Sequence, residues 1–129
     1  MAILSTARLQ LSPFHEHDWP FFLALRQNNE VMRFMGEILD ESAIRGVFEQ
    51  RCKEPGIFVI RDEKGTALGN IGLRISHKNP HEADIGYALL PQAQGHGYAS
   101  EALNAICDYG FNQLSLWAIN AWVLGDNRG

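Results

Sequence analysis

Apolar and polar positions follow two rhythms along this chain, and the change between them divides it. The opening alternation Arg8-Leu9-Gln10-Leu11 reads as a half-buried strand that ends at Ser12-Pro13. Helical spacing then takes over. Asp18 is placed to cap a helix over residues 19–26, with Pro20 tolerated in its first turn. A second helical start at Asn29-Glu30 carries Val31, Met32, Phe34 and Met35, and stops near Gly36. A third helix is predicted over residues 40–53, with Ile44, Val47 and Phe48 on one face and Pro55-Gly56 as its stop.

From residue 57 the period shortens to that of strands. Ile57-Phe58-Val59-Ile60 is apolar on both faces, as a central strand covered on both sides would be. Asp62-Glu63-Lys64-Gly65 is a turn leading into Ala67–Ile75, so the two runs form a hairpin. A polar loop over residues 76–82 precedes the strand Ile85-Gly86-Tyr87-Ala88-Leu89. Next comes the chain's best helical stripe: Ala99, Ala102, Leu103, Ile106, Cys107, Gly110, Phe111 and Leu114. A last strand is predicted over residues 117–123. The expectation is one α/β (α+β) domain over residues 1–129, with a mixed, mostly antiparallel central sheet and helices on both faces.

Composition narrows the class. The chain has 129 residues, 46% hydrophobic and 20% charged, which suits one globular domain with a sizeable core. A net charge of −4 with scattered Lys and Arg argues against a nucleic-acid partner. No apolar run approaches the ~20 residues of a membrane span, and the N-terminus lacks a signal-peptide pattern. Cys52 and Cys107 form no C-x-x-C unit and read as reduced thiols of a cytoplasmic protein. His15-x-His17 lacks a third ligand at a sensible spacing, so no metal is expected.

The segment with most chemical content is Gln92-Ala93-Gln94-Gly95-His96-Gly97-Tyr98-Ala99, between the strand ending at Leu89 and the long helix. Glycines at a helix start let backbone amides face outward, where the helix dipole also favours an anion. Without Gly-Lys-Ser/Thr it is not a nucleotide P-loop. Without an acid about 20 residues on, it is not a dinucleotide fingerprint. A strand-to-helix turn whose glycines only relieve backbone strain remains open at this point.

Residues 85–91 and 97–102, with Gln92, Gly95 and Gly97 filling a Q/R-x-x-G-x-G/A signature, resemble the core of the GNAT acetyltransferase superfamily. Thr6-Ala7-Arg8-Leu9-Gln10-Leu11, Asn29–Gly36 and Gly69-Asn70-Ile71-Gly72-Leu73 are similar, in order, to its ribosomal-protein N-terminal acetyltransferase (Rim-type) branch. The resemblance spans essentially the whole chain and implies acetyl-CoA as cosubstrate. Its pyrophosphate would rest on the amides of Gln94, Gly95, His96, Gly97, Tyr98 and Ala99, with Asn127 as a further contact. Its pantetheine arm would add to the strand edge at Leu89 and Leu90, as an extended peptide adds to a sheet. Pro91 would end that pairing, since it has no amide to donate.

The implied activity is transfer of acetyl to a primary amine, on a protein N-terminus such as that of a ribosomal protein or on a small amine. A backbone N–H of Leu89 or Leu90 would polarise the thioester carbonyl. Asp84, where the branch usually carries a glutamate, is the first candidate base, acting through water because Asp is shorter. Glu82 is the second. Met32, Phe34 and Tyr87 are candidates for the acceptor site; Tyr87 is equally at home in a core, and plain core packing is the stronger alternative for Met32 and Phe34. His77 and His81 are placed in an exposed loop. The family would continue past Gly129 with a helix and strand carrying a general acid. That expectation leaves open completion by a partner chain such as a second copy, and a catalytically silent CoA-binding or assembly module as the alternative function.

Overall fold

The computed structural model of the chain describes residues 3–33, 37–54 and 56–121. Six strands form one sheet: β1 (Leu4–Ser5), β2 (Gln10–Ser12), β3 (Ile57–Arg61), β4 (Ala67–Ile75), β5 (Glu82–Leu89) and β6 (Ala118–Ala121). They lie side by side in chain order. Every neighbouring pair is antiparallel except β5 and β6, which are parallel. The parallel step needs a crossover, and the long helix α4 (Tyr98–Gln113) supplies it. Helices α1 (Trp19–Gln27), α2 (Asn29–Met32) and α3 (Glu41–Lys53) fill the stretch between β2 and β3.

Alternation along β3 decides which helices lie on which face. Ile57 and Val59 join Phe14, Phe22, Ile44 and Phe48 in the core under α1 and α3. Phe58 and Ile60 join Ile71, Ile85, Leu89, Ala102 and Ile106 in the core under α4. The central strand is therefore buried on both sides, as its unbroken apolar run predicts. Three rings close the first core: Phe14 meets Phe22 edge-on at 5.6 Å and Phe48 at 6.0 Å.

Local expectations differ from the structure in three places. The two-residue β1 pairs with β2 and was not visible as an alternation. Strand β5 starts at Glu82, inside the stretch read as a loop, because Glu82, Asp84 and Gly86 face outward while Ala83, Ile85 and Tyr87 face α4. Asp18 does sit before α1, but its carboxylate does not cap the helix. It is 2% exposed and takes two bonds from Arg61, Nη1 to Oδ1 at 2.8 Å and Nη2 to Oδ2 at 2.9 Å, plus the His15 amide at 2.8 Å. Arg61 Nε also donates to Ser12 Oγ at 2.8 Å, so β2, β3 and the turn before α1 meet in one buried polar cluster. Burial alone would raise the Asp18 pKa. The bonds from Arg61 and His15 outweigh it and hold the carboxyl below the usual range.

Candidate active site

Strand β5 and the start of α4 build the site, and the hydrogen-bond pattern of β5 fixes what each residue there offers. The Leu90 amide donates to the Leu68 carbonyl at 2.8 Å, one step beyond the register pair Leu89–Gly69. Antiparallel pairs alternate between bonded and non-bonded, so Leu89 turns its N–H and C=O away from β4. The Leu89 carbonyl accepts from Gln94 Nε2 at 3.1 Å, which confirms that direction. Among the described residues the β6 register ends at Ile85–Ala121. Leu89 thus presents an N–H with no acceptor among the described residues, whereas the Leu90 N–H, also expected to be a donor for the cosubstrate, is taken by β4.

A close approach of β4 to β5 sets this edge. A Cβ on Gly69 would lie 2.2 Å from the Ala88 carbonyl oxygen and 2.9 Å from Leu89 Cα. No side chain fits there without moving β5.

Past Leu90 the chain makes a single 3-10 turn over Pro91–Ala93 and then reaches the glycines. Gly95 and Gly97 both adopt left-handed φ, +79° and +78°, a region L side chains enter only with strain. Gly97 is the N-cap residue of α4 and brings no capping side chain. The first backbone bond of the helix is Glu101 N–H to the Gly97 carbonyl at 3.1 Å. Ahead of it, the amides of Gly95, His96, Gly97, Tyr98, Ala99 and Ser100 donate to no protein acceptor among the described residues. Six donors at the positive end of a 16-residue helix make an anion cradle.

Two details differ from the sequence expectation. The Gln94 amide donates to the Pro91 carbonyl at 3.2 Å, so Gln94 braces the loop from inside instead of joining the cradle. Ser100, which helical spacing alone did not single out, adds a free amide at the third helical position.

The candidate base stands elsewhere on the same strand. Asp84 and Glu82 are exposed on the face opposite the α4 core, and Asp84 pairs across the sheet with Arg74 of β4 and Asn120 of β6. Gly86, the next residue on that face, is exposed, and an added Cβ there would meet no atom within 4 Å. Among the described residues, the floor beside Asp84 is therefore open. Tyr87 points the other way, into the α4 core at 8% exposure, where burial pushes its phenol pKa up. Met32 is buried at the end of α2. Phe34 and Asn127 lie outside the described residues.

Five residues separate Asp84 from Leu89, about 16 Å at the ~3.3 Å rise of a strand. A carbonyl held on the Leu89 N–H therefore lies beyond direct reach of the Asp84 carboxylate. The two cannot act on one carbon without an intermediary.

His77 and His81 belong to the β4–β5 connection, and the His81 ring stacks on Trp117 at 3.9 Å. Cys52 and Cys107 are half-buried free thiols whose pKa values burial raises, which keeps them poor nucleophiles. The rings of His15 and His17 stack on each other at 5.3 Å. Among the described residues no three His, Cys, Asp or Glu side chains gather as a metal site, and no helix is long and apolar enough to cross a membrane.

Among the described residues, a mixed sheet whose fifth strand keeps a free edge runs into a glycine-started helix with open amides, and this is the fold of the GNAT acetyltransferases. Residues 8–129 match the acetyltransferase (GNAT) domain, and the chain belongs to the GNAT acetyltransferase family. It is an N-acetyltransferase of that type. Members of the family use acetyl-CoA.

Among its relatives is an N-acetyltransferase of Bacillus subtilis, YoaA, 31% identical over 98% of this chain and 76% of its own length. Another is the N-acetyltransferase p20 of Bacillus licheniformis, 36% identical over 98% of this chain and 76% of its own length. A GNAT-family acetyltransferase from Bacillus anthracis shares the fold with a TM-score of 0.85, at 24% identity over 93% of this chain and 72% of that one. So does a spermidine N-acetyltransferase from Vibrio cholerae solved with CoA and spermine, with a TM-score of 0.77 at 22% identity over 90% of this chain and 71% of that one.

Proposed function

We propose that this GNAT N-acetyltransferase holds the diphosphate of acetyl-CoA on the amides of Gly95, His96, Gly97, Tyr98, Ala99 and Ser100. The acetyl group passes directly to a neutral primary amine lying over Asp84: the C–N bond forms, the thioester C–S bond breaks and CoA leaves as its thiolate. The observation that carries this reading is the set of six amides that have no acceptor among the described residues at the start of α4, next to the edge of β5. Acetyl-CoA, when bound, supplies the acyl group as a thioester.

The residues then divide the work. The Leu89 N–H gives the pantetheine arm a strand-like partner at the free edge. This is a change from a carbonyl-polarising role, and the distance to Asp84 motivates it. Asp84 accepts the proton released as the amine attacks, relayed through water across the open floor at Gly86. Glu82, on the same exposed face, adds negative charge that draws a cationic amine toward it.

The acceptor is a primary amine of the kind the Rim-type resemblance implies: a protein N-terminus such as that of a ribosomal protein, or a small amine. Resemblance over Thr6–Leu11, Asn29–Gly36 and Gly69–Leu73 supports the branch, and the reduced thiols suit a cytoplasmic enzyme. Thiol release from acetyl-CoA, followed with a panel of peptides and small amines, tests the function. Activity on at least one amine is expected, and Asp84→Asn should lower its rate about a hundredfold, the usual scale for a general base. Equal rates for Asp84→Asn and the parent at every pH would remove Asp84 from the mechanism.

A further inference from the structure

A carboxylate occupies the first turns of the very helix proposed to hold a diphosphate. Glu101 lies three residues after Tyr98, the first residue of α4, and its charge there opposes any phosphate nearby. The structure shows how that charge is answered. The carboxylate reaches from α4 to the β1–β2 turn, where its Oε2 accepts from the Thr6 hydroxyl and from the Arg8 amide at 2.9 Å. Its Oε1 accepts from Arg8 Nε at 2.8 Å. The turn is itself braced: the Leu9 amide donates to Thr6 Oγ1 at 3.0 Å, and the Thr6 amide to the Leu9 carbonyl at 2.8 Å. Thr6 and Arg8 thus meet Glu101 as a preformed pair of donors, although they lie 95 and 93 residues from it in sequence.

The position of Arg8 goes beyond what a strap between elements needs. Its guanidinium carbon lies 4.6 Å from the centroid of the Tyr98 ring, so the cation is stacked on the residue that carries one of the free amides. Only Nε is bonded to Glu101, and Nη1 and Nη2 have no protein acceptor among the described residues. The Arg8 side chain is 42% exposed, while the carboxylate it neutralises is 20% exposed. The cation, with free donors on it, is therefore the more exposed member of the pair and the carboxylate the more enclosed one. The bonds from Thr6 and Arg8 also hold the Glu101 pKa below the ordinary range and so favour its charged form.

We propose that Arg8 is a positioning residue for acetyl-CoA: it cancels the Glu101 charge behind the α4 cradle and turns the local field positive toward the cofactor's phosphates. The inference rests on the amide-cradle reading above. It assigns a role to Arg8, Thr6 and Glu101 that neither glycine spacing nor the family match supplies.

The test measures acetyl-CoA affinity by calorimetry, together with KM and kcat, for the parent, Arg8→Gln, Arg8→Lys, Glu101→Gln and the double variant Arg8→Gln/Glu101→Gln. Removing the cation while leaving the carboxylate should weaken binding and raise KM about tenfold at low salt, with kcat held within about twofold. Between about 0.05 M and 0.5 M salt the Arg8→Gln penalty should shrink to about threefold, because screening weakens a charge effect and leaves a packing effect alone. Arg8→Lys should stay within about threefold of the parent, since it keeps the charge. The double variant should recover most of the affinity, the carboxylate having become a neutral amide.

Failure of the double variant to bind better than Arg8→Gln, or a penalty independent of salt, would overturn charge compensation and leave a mere strap. Parent-like affinity in Arg8→Gln would overturn the role altogether. Should Arg8→Gln not fold, Arg8→Lys decides alone: parent affinity supports the role of charge, and a tenfold loss in a folded protein contradicts it. Absence of binding in the parent would overturn the cradle itself, a result distinct from all of these.

Discussion

The N-termini of α3 and α4 solve the same problem in opposite ways. Each helix begins with amides that have no partner within the helix. Asp40 closes the start of α3 with its own carboxylate, accepting from the Ala43 amide at 2.8 Å. The start of α4 has Gly97 in place of a capping side chain, and six loop and helix amides there have no acceptor among the described residues. A helix that carries its own anion has no use for another. One that begins with glycines in left-handed conformation keeps its dipole and its donors for something else. The difference is the reason α3 reads as scaffold and α4 as the proposed cosubstrate site.

The buried Asp18 cluster marks the scaffold end of this contrast and carries the largest expected effect. Asp18→Asn removes one partner of a buried pair and leaves the Arg61 guanidinium without its counter-charge, a loss of about 3–5 kcal/mol in unfolding free energy. Denaturant melts of the variant measure it. The pH dependence follows from the sign of the shift. The Asp18 pKa is lowered in the folded chain, so its contribution is full above the ordinary carboxylate range and disappears as pH falls through the folded value. The parent should therefore lose stability on acidification more steeply than Asp18→Asn does. Parallel acid profiles for the two would show that the pair contributes nothing.

Next in size is the open helix start itself. Gly97→Val puts a β-branched residue at a φ of +78° and covers the cradle. Acetyl-CoA affinity should fall by about a hundredfold, about 2.7 kcal/mol, with calorimetry as the readout. The control from the other helix is smaller. Asp40→Ala deletes the α3 cap and should cost about 1 kcal/mol of stability while acetyl-CoA affinity stays put. If Asp40→Ala weakened binding as much as Gly97→Val, the contrast between the two helix starts would have no functional meaning.

These contrasts were unevenly legible in the sequence. The cradle could be read because everything that makes it is local: two glycines, the strand before them and the helical stripe after them fall within residues 85–114. At α3 the spacing predicts a helix from residue 40, whereas the structure starts the helix at Glu41 and makes Asp40 its cap. The role of Asp18 was not. Its spacing matches a cap equally well, and its true partner Arg61 is 43 residues away, on a strand whose neighbour no local pattern identifies. The Thr6–Arg8–Glu101 clasp was hidden for the same reason. Thr6 and Arg8 stood out as part of a family-like opening, yet only the fold brings that opening against α4. The start of β5 escaped because Glu82, Asp84 and Gly86 give its open face the polarity of a loop. Which N–H of Leu89 and Leu90 is free depends on bonding parity across β4, and hydrophobic alternation does not encode it.

Amide-resolved NMR of the labelled protein, titrated with acetyl-CoA, tests the cradle most directly. The amides of Gly95, His96, Gly97, Tyr98, Ala99 and Ser100 should show the largest shifts at saturation, with Leu89 moving beside them. Ala43, at the capped start of α3, should not move. Saturable binding that shifts the α3 start or another surface, and leaves residues 95–100 in place, would contradict the assignment of the α4 cradle as the acetyl-CoA site.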